Sequence, residues 1–260
     1  MATLKANKNY YADYDWSSGG EEWSEPWGGT RSMWLASIYP RISEFLPTGT
    51  IIEIGAGHGR IARILHAFAT NQLVLFDIVD DCVSVCKQKF ASSAKTICLK
   101  TNGHALEGVA DNSVDFIFSF YSLVGSDKKT ITGYLKEFTR VLSNDGVAFI
   151  HHSNAGMYFS PADSNPDKRL LLLAAYRDMS IDATEVREIA ADCNLSCIKQ
   201  ECINWDITQI LSDCFSTIVR PTSKWGCEPV LLHNPDFQQE QNQAKESEQA
   251  RNTRRPGRST

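Results

Sequence analysis

The chain has 260 residues, a formal net charge of −5, 42% hydrophobic residues and 22% charged residues. That length suits one large α/β domain with an ample core, and the negative balance argues against non-specific nucleic-acid binding, which needs a basic face. No apolar run approaches membrane-spanning length and no signal-peptide core opens the chain, while eight scattered cysteines without a CxxC pair or paired histidines point to reduced thiols in a cytoplasmic protein and to no metal site.

The first thirty residues interleave Tyr10, Tyr11, Tyr14, Trp16, Trp23 and Trp27 with Gly19, Gly20, Gly28, Gly29 and five acids. Neither a helical nor a strand period is evident. Disordered segments are poor in aromatics, so residues 1–30 are expected to pack as a lid over a binding site, or as an arm on the domain surface. Ser32 to Phe45 reads as a helix, with Trp34, Leu35, Ile38, Ile42 and Phe45 near helical spacing and Pro47 beyond its end.

Ile51 to Leu65 reads IIEIGAGHGRIARIL. A buried strand ends in Gly55-Ala56-Gly57-His58-Gly59, and an apolar helical pattern follows at once. Such a turn brings backbone close to a ligand at the carboxyl end of a sheet strand, an approach that a Cβ would block. Leu73-Val74-Leu75-Phe76-Asp77 is a second strand ending in an acid about twenty residues on, where a ribose diol is held. Ile97 to Lys100 is a third strand, followed by Asn102-Gly103. Helices are expected over Arg60–Phe68, Asp80–Phe90, Ile131–Leu142 and Asp182–Asp192. Further strands are expected over Val114–Phe120, Val147–His151, Leu195–Trp205 and Asp213–Arg220. Alternation of short apolar strands with helices implies a doubly wound, mostly parallel sheet of seven strands. Residues 153–180 interrupt it as a cap insertion, with a helical stretch near Leu170 to Tyr176. The domain then spans 31–237, and 238–260, rich in Gln, Glu, Arg and Ser, is expected to be disordered.

The pattern Glu-x-Gly-x-Gly-x-Gly from Glu53, with Asp77 and Asn102-Gly103 downstream, resembles the class I S-adenosylmethionine-dependent methyltransferases, whose fold is Rossmann-like. The dinucleotide fingerprint would need a longer glycine spacing, and Arg60 stands where its last glycine would be. The resemblance covers roughly residues 50–220. It implies S-adenosyl-L-methionine as cofactor, with Gly55, Gly57 and Gly59 lining its methionine half and Glu53 holding the loop and the amino group. It also implies that Asp77 accepts from the ribose hydroxyls, that Gly103 offers its amide to the adenine, and that Asn102 replaces the usual Asp beside the adenine amino group. Glu21-Glu22-Trp23-Ser24 and His151-His152-Ser153-Asn154 are similar to runs in a bacterial group linked to sugar, glycan or natural-product methylation. Where that group carries an acid and a histidine after the fourth strand, this chain has Tyr121 and Gly125, which implies an altered acceptor or base.

A hydroxyl acceptor needs a base to take its proton. In a parallel sheet the candidates lie at the carboxyl ends of strands four and five, where the chain has Tyr121-Ser122 and the two histidines. Adjacent strand residues face opposite sides, so at most one histidine points into a site, and His152, nearer the loop, is favoured over His151. Trp205 is expected to wall the pocket or sit in the core, and His58 and Asp127 to be solvated. The expected activity is O-methylation of a small-molecule or sugar hydroxyl, with a homodimer as the candidate assembly and no nucleic-acid or membrane partner. N-methylation of a small molecule or peptide, or cofactor binding without catalysis, is the alternative.

Overall fold

The computed structural model describes residues 4–158, 177–205 and 210–253. Its sheet is organised around β1 (Thr48–Ile54), whose last five residues are buried on both faces, as a central parallel strand requires. β1 pairs in parallel with β2 (Ala69–Asp77) on one side and β4 (Val114–Leu123) on the other. β3 (Thr96–Lys100) adds to β2, and β5 (Leu142–Ser153) adds to β4. The chain thus winds outward both ways from β1 and β4. The crevice beyond their carboxyl ends is the switch point at which a doubly wound sheet takes its ligand.

Beyond β5 the sheet turns antiparallel. β7 (Asp213–Val219) runs between β5 and β6 (Ser196–Ile203), and β8 (Val230–Asn234) closes the edge parallel to β6. The order is β3-β2-β1-β4-β5-β7-β6-β8, eight strands among the described residues against the expected seven. β8 is five residues held between Pro229 and Pro235, and sequence punctuation alone reads it as loop.

The N-terminal thirty residues also depart from expectation. Leu4–Ala12 is a helix (α1), and Glu21–Trp27 is a 3-10 turn entered and left through left-handed Gly20 and Gly28. The helix expected over Ser32–Phe45 is broken into α2 (Thr30–Met33), a π-turn (Trp34–Ile38) and α3 (Tyr39–Ile42). Pro40 lacks the amide that a continuous α-helix needs there, and the Tyr39 amide donates instead to Trp34 O.

α4 (Ala62–Phe68), α5 (Asp80–Lys89), α6 (Lys128–Val141) and α7 (Ala183–Asp192) cover the sheet. α6 buries Ile131, Tyr134, Leu135, Phe138 and Val141, an i, i+3, i+4, i+7, i+10 stripe. Asp127, expected to be solvated, is its N-cap and accepts the Thr130 amide at 2.8 Å.

The expectation of a disordered tail from 238 is overturned for 238–253, which together with Phe237 forms α8 (Phe237–Thr253). Phe237 is fully buried, and Arg41 of α3 bridges Glu240 of α8 at 2.9 Å and Glu201 of β6 at 2.6 Å. The composition of that segment shows no amphipathic stripe; its order comes from these tertiary contacts. The helical stretch expected near Leu170 to Tyr176 lies outside the described residues. Among the described residues no helix is long and apolar enough to cross a membrane.

Candidate active site

The carboxyl end of β1 leads straight into the glycine loop. Gly55 has φ +76°, and a Cβ built there would stand 2.2 Å from the Ser122 Cβ on the end of β4, so only glycine lets the two strand ends meet. The Gly55 and Ala56 amides both donate to Phe76 O, at 2.8 and 3.1 Å. Asp77, at the end of β2, accepts from the Gly57 amide at 2.8 Å through Oδ2 and from the Val79 amide at 2.9 Å through Oδ1. Its carboxylate therefore fixes the loop while lining the cavity beside it. Burial raises its pKa, opposed by these backbone donors.

That cavity is lined by Glu53, Gly55, Ala56, Gly57, His58, Arg60, Asp77, Ile78, Thr101, Gly103 and the end of β4 from Phe120 to Leu123. Its roof is the N-terminal segment: Leu4, Asn7, Tyr11, Trp16, Gly19 and Trp23. Leu4 packs on Gly103, Asn7 Nδ2 donates to Gly125 O at 2.8 Å, and the Trp16 ring lies over His58. Leu4, Asn7 and Tyr11 fall at i, i+3 and i+7 of α1, a helical face the sequence offered but the reading missed. Ile78, Thr101, Tyr134 and Arg60 were missed as well.

Glu53 is 4% exposed and its Oε2 has no hydrogen-bond partner among the described residues. Burial drives its pKa up to about 8, with Arg60 opposing and Asp77 adding. An unpartnered buried carboxylate oxygen is costly, and it sits on the cavity wall where a cationic group would satisfy it.

Not every expected residue reaches the cavity. Gly59 lies behind the loop, where a Cβ would crowd Cys86 Sγ at 3.2 Å and Phe90 at 3.3 Å; it permits packing against α5 rather than ligand approach. Asn102 is exposed and outside the lining. Its Oδ1 accepts the His104 amide at 3.1 Å, and Thr101 occupies the wall instead.

Both histidines are fully buried and outside the lining. His152, favoured as a base, points to the α7 face. Its Nε2 pairs with Ser216 Oγ at 2.8 Å and its Nδ1 with Ser153 O at 2.8 Å, and burial lowers its pKa to about 4. It is a structural histidine. His151 takes the other face, and its Nδ1 accepts the Tyr121 amide at 3.2 Å. Its Nε2 lies 3.7 Å from Asp213 Oδ1, and burial again lowers its pKa.

Tyr121 does line the cavity. It adopts φ +62°, a left-handed conformation that costs a non-glycine residue about 1–3 kcal/mol and clusters at functional sites. Trp205, expected to wall the pocket or sit in the core, stands behind it, packed on the core and stacked at 4.9 Å. The Arg177 guanidinium lies 5.2 Å from the Tyr121 ring centre, over its face. Arg177 is held in turn by Asp213 through two bonds of 2.6 and 2.8 Å. Burial would raise the Asp213 pKa, but the Arg177 charge holds it below the usual carboxylate value. The arginine stays charged against that partner, so Tyr121 is backed by a buried cation.

Residues 52–150 match the family model described as a methyltransferase domain. The matched segment runs from β1 to β5 and takes in the glycine loop and Asp77. No curated protein matches it. Three solved structures share its fold. A protein of Pyrococcus horikoshii is 15% identical with a TM-score of 0.58, over 82% of this chain and 99% of that one. A protein of Galdieria sulphuraria, described as a candidate sarcosine dimethylglycine methyltransferase, is 20% identical with a TM-score of 0.51. This match covers 65% of the present chain and spans 63% of the Galdieria chain. A TehB-like, S-adenosylmethionine-dependent methyltransferase of Corynebacterium glutamicum is 17% identical with a TM-score of 0.50, over 78% of this chain and 98% of that one. The shared architecture is a mixed α/β sheet flanked by helices, the Rossmann-like methyltransferase fold.

Proposed function

We propose that this chain transfers the methyl group of S-adenosylmethionine to a hydroxyl of a small acceptor, sugars included. One observation carries the cofactor reading: the unpartnered Glu53 Oε2 faces the same cavity as Asp77, at the switch point of the sheet. Glu53 suits the amino group of the cofactor, Asp77 the ribose diol, and Thr101 with Gly103 the adenine side. When bound, the cofactor supplies an electrophilic methyl group on a sulfonium.

The chain's own residues position the acceptor and exclude water. Tyr11, Trp23, Phe120 and Tyr121 close an aromatic compartment under the N-terminal segment, and a roofed compartment favours a small acceptor over a macromolecule. With both histidines withdrawn, Tyr121 is the side chain placed to accept a hydrogen bond from the acceptor hydroxyl and orient it, the proton passing to water as the methyl group is transferred. A second reading, an amine acceptor, is favoured by the rings of Tyr11, Trp23 and Tyr121, whose faces attract a cation.

Methyl-labelled S-adenosylmethionine incubated with panels of small hydroxyl and amine compounds, followed by mass identification of products, tests both readings. Methylated alcohols or phenols support the first and methylated amines the second. Absence of any cofactor binding by calorimetry would overturn the cofactor assignment.

A further inference from the structure

Cys202 and Cys214 stand directly opposite each other in the β6–β7 ladder. Directly opposed residues of an antiparallel pair have Cα atoms about 4.5–5.5 Å apart, inside the span of about 4.4–6.8 Å that a disulfide bridges. Both are free thiols and buried, and with Ala183 at the start of α7 they form a cluster of their own, against which Leu211 packs. Other cysteines are placed differently. Cys82 and Cys86 lie one helical turn apart on α5, where β-carbons are about 5–6 Å apart against the roughly 3.5–4.5 Å of a disulfide, and Cys197 faces Ile218 across the ladder.

A buried thiol commonly serves as a small apolar filler. Placement at the open end of the β6–β7 hairpin distinguishes this pair. Cys202 is the last residue but one of β6 and Cys214 the second of β7, so a single rung, Ile203 with Asp213, separates them from the connecting loop. Ladder ends open at low cost, and loss of that rung admits a small reagent that the folded interior excludes. The loop carries Trp205, which stacks on Tyr121, and ends at Asp213, which holds Arg177. A bond at its base therefore bears on the wall of the acceptor compartment.

We propose that Cys202 and Cys214 are a modification site that closes to a reversible disulfide, with an oxidised small thiol such as glutathione disulfide as co-reactant. One cysteine, as its thiolate, attacks a sulfur of the small disulfide, giving a mixed disulfide and one free small thiol. The thiolate of the second cysteine then attacks the protein sulfur and expels the other small thiol. The two cysteine protons end on the two small thiols, and two electrons pass from the pair to the small disulfide. The new bond staples the base of the loop behind Tyr121, so the acceptor wall stiffens under oxidation and relaxes in excess thiol. The inference stands apart from the choice of acceptor.

The test incubates the unaltered full chain in graded mixtures of glutathione and glutathione disulfide without denaturant. Samples are quenched with acid, alkylated in denaturant and digested without reduction. Expected are peptides joined through Cys202 and Cys214 and released by dithiothreitol. Cys227, which is exposed, reports through its own mixed disulfide that the reagent is active. Because the bond closes a short loop, the oxidised chain should melt about 6–12 °C higher, and Cys214→Ala should abolish both the joined peptides and the shift. Cys202→Ala is read the same way if that variant fails to fold, and the peptides of the unaltered chain decide alone if both fail. Cys227 modified while Cys202 and Cys214 stay unjoined at every ratio would overturn the inference, as would a bond that forms only when denaturant is present during incubation. A bond without a rise in melting would overturn its action on the acceptor wall.

Discussion

The Trp16 ring lies flat on the His58 imidazole, centroids 4.6 Å apart and planes 19° from parallel. A residue of the N-terminal segment thus rests directly on the glycine loop, and a ligand cannot enter beneath it without displacing it.

The segment should therefore open in the free protein. Its aromatic cluster, in which Trp16 meets Trp23 at 5.2 Å and Tyr14 meets Trp23 at 5.0 Å, is expected to move as one piece about left-handed Gly28. Amide exchange from Tyr10 to Trp27 should be fast without ligand and slowed by S-adenosylhomocysteine. Equal, strong protection in both states would show a fixed arm.

Glu53 links the site to pH. Its folded pKa, about 8, lies above the ordinary value of 4.5, so the folded protein holds a proton that the unfolded chain has released. Its contribution to stability is fully present below pH 4.5 and is lost as pH rises through about 8. Thermal melts should show this decline, and Glu53→Gln should flatten it. A bound ammonium favours the ionised carboxylate, so cofactor binding near pH 7 should release a proton. Calorimetry in buffers of differing ionisation enthalpy would detect it.

Asp77 has two tasks. Asp77→Ala removes acceptors for a ribose diol, each bond worth about 1.5–3 kcal/mol, and frees the Gly57 amide. Cofactor affinity should fall steeply, with a smaller loss for Asp77→Asn, which keeps one acceptor oxygen. Unchanged affinity in folded Asp77→Ala protein would refute the assignment.

The histidines should separate from Tyr121. His152→Gln breaks a buried pair of hydrogen bonds and is expected to cost about 1–3 kcal/mol of stability while leaving turnover near normal. Because the His152 pKa is depressed to about 4, the stability it contributes is present above its ordinary value near 6.5 and is lost as pH falls toward 4.

Tyr121→Phe should lower turnover on a hydroxyl acceptor roughly 10²-fold through lost positioning, with cofactor affinity intact. Normal turnover would remove Tyr121 from the acceptor's contacts.

Much of the frame was legible because its signals are local. Glu53 to Gly57 and Asp77 lie where a strand, a tight turn and a strand-end acid predict them, since period and glycine placement fix backbone path within one unit. Gly59 and Asn102 resisted the same reading: whether a loop residue faces a cavity or its neighbouring helix depends on packing from α5 and on a turn closed by its own side chain. His151 and His152 show a further limit. Strand alternation correctly put them on opposite faces, but only the partners of each face, Ser216 for one and Tyr121 for the other, show which lies nearer the site. Arg177 and Asp213 are 36 residues apart, a pairing that no local pattern announces.

The last helix carries a consequence for how such a protein diversifies. Phe237, at its start, stacks on Trp205 at 5.7 Å, and Trp205 stacks on Tyr121. Trp27 meets Trp205 at 5.5 Å and Phe237 at 6.2 Å. Phe237 and Trp27 therefore work as a shim behind Trp205 and Tyr121. Changes in its thickness, at positions no ligand ever touches, would tilt Tyr121 and retune acceptor choice without disturbing the glycine loop. Selection could explore new acceptors through residues 237–253 while the cofactor half of the site stands still.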